Sequence, residues 1–172
     1  MIYTPIALFL AVVLACFISG CNTVGCMENQ SSLPLAGFYD SSTGSAIQLD
    51  SIEVKGIGAP GDSLLYVSGT RLTEIYLPFR TTASQTTFCL HYCNRQLSDP
   101  SLNDTLKFAY TAMPYFAGEE CGAMYRYNVT RVEYTSNLID SVVLVDSLIT
   151  NVAVQQIHIY FRTSKAEEGT DR

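Results

Sequence analysis

Cys89, His91 and Cys93 alternate within Thr87-Phe88-Cys89-Leu90-His91-Tyr92-Cys93. Thiolate sulfur and imidazole nitrogen are donors that zinc and copper favour. On a strand the three side chains share a face at intervals of about 6.6 Å. Three groups along one straight strand converge poorly on a single ion, and an oxidising compartment favours disulfides. The expectation is therefore no metal and no cofactor. A Cys–His nucleophile needs its base within hydrogen-bond reach and a third group to orient that base. His91 and His158 are the only histidines, which leaves few such arrangements, and His158 reads as a half-exposed strand residue. Glu119 and Glu120 are an acidic pair beside Cys121. Carboxylates that hydrolyse glycosides face each other across a cleft about 5–10 Å wide, which neighbours on a loop rarely do. The sequence has no Gly-rich phosphate loop, Gly-x-Ser-x-Gly elbow or His-Glu-x-x-His motif. No catalytic residue is expected, and the chain reads as a non-enzyme.

The aromatic residues offer a different chemistry. There are 11 Tyr and 8 Phe but no Trp, and flat rings can stack on sugars. Among Tyr110, Tyr115, Phe116, Tyr125 and Tyr127, most should be core residues. Tyr115, Phe116 and Tyr125, in or beside an expected loop over 115–125, are the ligand-binding candidates for a glycan or small molecule. Asp50-Ser51, Asp62-Ser63, Asp140-Ser141 and Asp146-Ser147 each precede an apolar residue. Asp and Ser bond nearby backbone and favour turns, so these pairs read as punctuation before strands. Calcium loops would need their ligands clustered within one loop.

Cys21 is the residue with the most specific surroundings. Ile6–Ile18 is an unbroken apolar run of 13 residues. A spanning helix needs about 20, whereas a signal-peptide core needs about 7–15. The run ends in Ile18-Ser19-Gly20-Cys21, which matches the bacterial lipobox. That match implies cleavage between Gly20 and Cys21 and acylation of Cys21. Met1–Pro5 carries no Lys or Arg, a departure that leaves a short uncleaved anchor as the competing reading. Several acyl chains would hold the protein stably on a membrane, at about 0.8 kcal/mol per buried methylene. Asn22-Thr23-Val24 shows no acidic run of the surface-export kind. The expected location is therefore the outer membrane, facing the periplasm, with membrane lipid as one partner and an envelope protein or glycan as another.

Four cysteines remain besides Cys16 in the signal and Cys21: Cys26, Cys89, Cys93 and Cys121. They allow three pairings. On a straight strand Cys89 and Cys93 stand about 13 Å apart, beyond bridging distance, unless the chain bends near Asn94. Cys26 in a linker and Cys121 in a loop are free to meet. The net charge of −6 and a pI near 4.7 argue against nucleic acid, because phosphate binding needs a basic stripe.

The elements that must position these residues repeat with period two rather than 3.6. Ile75, Leu77 and Phe79 share a face, and Pro78 marks an edge strand or one whose neighbour pairs elsewhere. Phe88, Leu90 and Tyr92 share another, as do Leu106, Phe108 and Tyr110; Tyr125, Tyr127 and Val129; and Ile157, Ile159 and Phe161. Val142–Val145 is apolar on both faces, as in a central strand. Shorter candidates are Leu35–Tyr39, Ile47–Gly56 and Leu64–Val67. The phase slips near Asp50 and near Thr130, each slip predicting a bulge or break. The organisation expected is a signal peptide over 1–20, a linker over 21–33, one domain over 34–163 and a polar tail over 164–172. The fold expected is all-β: an immunoglobulin-like antiparallel β-sandwich of about eight or nine strands. Strand spacing alone does not separate that order from a jelly roll.

Several stretches also resemble one family. They are Ile75-Tyr76-Leu77-Pro78, Thr86-Thr87-Phe88, Asp104-Thr105-Leu106-Lys107-Phe108, Met113-Pro114-Tyr115-Phe116, Glu120-Cys121-Gly122, Ile139-Asp140-Ser141-Val142 and Ile157-His158-Ile159-Tyr160-Phe161. Together they resemble small lipoproteins of Bacteroidetes known only as a domain of unknown function. The resemblance covers nearly the whole mature chain, and it rests on the order of the motifs. It implies a recurring pair at Cys26 and Cys121, with Cys89 and Cys93 as additions, and it implies no activity. The function expected is a lipid-anchored, non-enzymatic structural or protein-interaction module. The alternative is a glycan or small-ligand binder.

Overall fold

The alternation of apolar residues closes into two sheets. The computed structural model describes residues 31–59, 61–95, 97, 99–119 and 122–163. The expected signal peptide, Cys21, Cys26, Glu120, Cys121 and the tail over 164–172 lie outside the described residues. Among the described residues there are ten strands, one 3-10 turn and no α-helix. None therefore contains a helix long and apolar enough to cross a membrane.

The strands are β1 (Leu35–Asp40), β2 (Ile52–Ile57), β3 (Leu64–Tyr66), β4 (Glu74–Tyr76), β5 (Gln85–Tyr92), β6 (Asp104–Gly118), β7 (Gly122–Tyr134), β8 (Ile139–Leu144), β9 (Leu148–Ile149) and β10 (Gln155–Phe161). A four-stranded sheet has the order β4-β1-β10-β8, and a six-stranded sheet the order β3-β2-β5-β6-β7-β9. All pairs are antiparallel except β1 with β10, which run parallel from Leu35 beside Gln155 to Asp40 beside Phe161. This parallel pair departs from the fully antiparallel expectation.

One core joins the sheets. Phe38, Ile75, Ile139, Ile157 and Ile159 meet Val54, Phe88, Leu90, Leu106, Phe108 and Ile149, and every one of them is buried. Phe79, just past β4, stacks on Tyr110 with ring centroids 4.4 Å apart and meets Tyr127 edge-on at 5.5 Å. The Tyr110 hydroxyl satisfies its own burial. It donates to the Arg80 carbonyl and accepts from the Arg80 N–H, both at 2.9 Å.

The predicted slips are where the ladder breaks. Ala109 pairs with Arg131 and Tyr110 with Val129, so Thr130 is the extra residue of a bulge. The chain bends at Asp50-Ser51, and β2 begins only at Ile52. Three Asp-Ser pairs stand before strands as expected, and the Asp146 carboxylate accepts from the Leu148 N–H at 2.8 Å. Asp140-Ser141 instead lies inside β8. Pro78 follows β4, which is indeed an edge strand.

Three expectations are corrected. Val142–Val145 is not central: β8 is one of the two outer strands of its sheet, and Val143 and Val145 are 45% and 56% exposed. Tyr125 does not join Tyr127 and Val129 in the core, because burial along β7 steps from Met124 to Tyr127. The expected loop over 115–125 is instead the outer part of a two-stranded ribbon, with Thr111 to Phe116 of β6 paired to Ala123 to Asn128 of β7. β5 pairs with β6 only as far as Ala109. Beyond it β6 is an edge, so Pro114 omits no ladder bond on its open side. Gly118 and Gly122, both at positive φ, flank the turn.

Candidate functional site

Two places bring the candidate residues together. The first is the outer face of the six-stranded sheet, where β2 meets β5. Ile52 pairs with Tyr92, Glu53 with His91, Val54 with Leu90 and Lys55 with Cys89. Ile52, Val54, Leu90 and Tyr92 are buried, so alternation turns Glu53, Lys55, Cys89 and His91 outward. A slip of one residue would drive Glu53 and His91 into the core, which fixes this register.

Cys93 stands just past the end of β5, its N–H donating to the Ser51 carbonyl at 2.7 Å. One donor atom from each of Glu53, His91 and Cys93 lies within 4.8 Å of the others, and all three residues are half-buried. His91 Nδ1 is 3.0 Å from Asn103 Oδ1, and Lys55 Nζ is 3.5 Å from the Glu53 carboxylate. Cys89 and Cys93 are both free thiols, and Cys89 is not part of the group of three. Burial pushes the Cys89 thiol above its ordinary range, which disfavours its thiolate. Beside Cys93 lies a polar hollow lined also by Asp50, Ser51, Ser68, Gly69 and Arg71.

The one-strand set Cys89–His91–Cys93 is thus replaced by a two-strand set. Glu53 was the residue missed. Its outward phase is readable from Ile52-Glu53-Val54-Lys55, but the partner opposite it depends on register between segments some forty positions apart.

The second place is the β6–β7 ribbon, which groups Phe116 with Tyr125 and parts them from Tyr115. Pro114 pairs with Tyr125, Tyr115 with Met124 and Phe116 with Ala123. Phe116 and Tyr125 therefore share one face, 69% and 40% exposed. Tyr115 is on the opposite face, where the Arg126 guanidinium sits 3.9 Å above its ring and its hydroxyl donates to Asn151 Oδ1 at 3.1 Å. Tyr110 and Tyr127 are core residues.

His158 lies on the outer face of the four-stranded sheet, its ring 4.4 Å from that of Tyr39, which is 5.4 Å from Tyr160. Val143 is its neighbour on β8. Glu119 is exposed. Between the ends of the two sheets, Ile52, Tyr92, Leu97, Leu138 and Phe161 line a cavity of ≈ 200 Å³.

No curated protein and no solved structure matches the chain. One family does match, over residues 51–161, a span that takes in Glu53, His91, Cys93 and the whole ribbon and omits β1. The chain belongs to the family of unknown function DUF6452.

Proposed function

We propose that the chain is an envelope lipoprotein of the Bacteroidetes kind. Acylated Cys21 anchors it in the outer membrane, facing the periplasm, and it serves as a non-enzymatic protein-interaction or structural module with an immunoglobulin-like strand order. The observation that carries the interaction reading is β8. It is one of the two outer strands of its sheet, and Val143 and Val145 are exposed. The ring cluster of Tyr39, His158 and Tyr160 continues that surface. An open strand edge beside apolar side chains supports the addition of a partner strand. The lipidation reading rests on Ile18-Ser19-Gly20-Cys21.

A glycan-binding role is the second reading, favoured by Phe116 and Tyr125 on one ribbon face.

One experiment addresses both parts of the first reading. The protein is cross-linked in intact membranes, extracted and weighed. Expected are a chain beginning at acylated Cys21 and a specific adduct to one envelope protein, lost in the Val143→Lys/Val145→Lys variant. A mass retaining Met1–Gly20 overturns the lipoprotein reading in favour of a short uncleaved anchor. An adduct unaffected by the double substitution overturns β8 as the contact.

A further inference from the structure

We propose that Glu53, His91 and Cys93 form a three-ligand site for a divalent transition cation of the zinc type. The donors are a carboxylate oxygen, an imidazole nitrogen and a thiol sulfur, the mixed set that zinc accepts. In a tetrahedral zinc site, bonds of about 2.0–2.3 Å put neighbouring donors about 3.3–3.8 Å apart. Here the donors lie within 4.8 Å of one another, so rotations of half-buried side chains close the set.

The second shell is already built. A carbonyl oxygen can only accept, so Asn103 Oδ1, 3.0 Å from His91 Nδ1, places the ring proton on Nδ1. The lone pair is then on Nε2. Metal-ligating histidines are oriented in this way, by donating their other N–H to an oxygen. Asn103 Oδ1 also accepts from the Tyr92 N–H at 3.4 Å, which ties the orienting residue to the end of β5.

The backbone is equally fixed. The pairing of Glu53 with His91 is held by buried neighbours on both sides, and Cys93 is bonded to Ser51. Lys55 remains beside Glu53 as a cationic partner. Binding releases the Cys93 thiol proton to solvent, leaving a thiolate on the metal. The polar hollow beside Cys93 leaves room for a water as the fourth ligand. The site binds β2 to the end of β5 across two strands, which Cys89, opposite Lys55, cannot do.

The test uses the full chain, reduced and metal-free, titrated with Co²⁺ as a spectroscopic stand-in for Zn²⁺. Expected is one Co²⁺ per chain, with a thiolate-to-cobalt charge-transfer band and strong tetrahedral visible bands, all removed by Zn²⁺. Cys93→Ser should abolish the charge-transfer band, while Cys89→Ser should leave it unchanged. The other cysteines stay in place in both variants, so the comparison assigns the sulfur. Asn103→Ala should weaken Co²⁺ binding about 10–100-fold, and His91→Gln and Glu53→Gln by more. If Cys93→Ser fails to fold, as read by circular dichroism, those two variants carry the test. Absence of a one-to-one band in the parent protein overturns the proposal. So does a band that survives in folded Cys93→Ser, a band lost in Cys89→Ser, or affinity unchanged in both His91→Gln and Glu53→Gln.

Discussion

Asp104 is a fully buried carboxylate with five donors pointed at it. It accepts from the Tyr92 and Thr135 hydroxyls and from the backbone N–H groups of Asn137, Leu138 and Ile139, at 2.8–2.9 Å. One side chain thereby fixes the crossing from β7 in one sheet to β8 in the other. Burial, and after it the Asp104 charge, hold the Tyr92 hydroxyl far above its ordinary range, so Tyr92 remains a donor. Asp104→Ala would strand several of these donors, each unsatisfied group costing about 1–3 kcal/mol. With two or three of them left unpaired, the expected loss is about 3–5 kcal/mol, read as a lower midpoint in denaturant with an unchanged slope. A midpoint within error of the parent would show that water replaces the carboxylate. The sequence carries a sign of this residue, because Asp104 is in phase with Leu106, Phe108 and Tyr110 on the face that turns inward. A charge in that phase must be heavily bonded. What its partners would be was not legible, since the Thr135–Ile139 segment reaches it from thirty or more positions away.

The β6–β7 ribbon shows how strand signals fail at the scale of an element. Pro114, Gly118 and Gly122 are turn residues, and together they read as a loop. The ladder nevertheless runs through them, because Pro114 lies where β6 has no second neighbour and the glycines serve only the tip. Bulky side chains on both faces also hide the alternation. The Thr130 bulge was legible, because a change of phase within one strand is a local signal. The edge position of β8 was not, because apolar residues on both faces look alike in a central strand and in an edge meant to be covered. The ribbon's two faces should respond differently to truncation. Phe116→Ser, on the exposed face, should change stability by no more than about 0.5 kcal/mol. Met124→Ala, buried on the other face, should cost about 2–5 kcal/mol. Equal denaturation midpoints for the two variants would contradict this division of the faces.

At the scale of the whole molecule, β1 matters beyond its six residues. The family match begins at residue 51 and leaves it out, yet β1 sits between β4 and β10. Its Phe38 meets Phe161 edge-on with ring centroids 5.6 Å apart. Removing residues 1–40 should therefore uncover the edges of β4 and β10 and open the core. The expected result is aggregated protein on size exclusion and loss of near-ultraviolet circular dichroism. A monomeric, fully folded 41–172 fragment would show that β1 is dispensable. The all-β character was legible from the alternation of single strands. Which strands belong to which sheet was not, since that depends on pairing the first strand with the last.

That pairing also decides how the domain answers a mechanical load. In a parallel pair, tension between the start of β1 and the end of β10 slides the strands lengthwise past each other. The ladder from Leu35 to Phe161 then resists in shear, all its bonds strained together, rather than unzipping one at a time. A domain held from its N-terminal side and pulled from its C-terminal side meets that force along a seam loaded in shear.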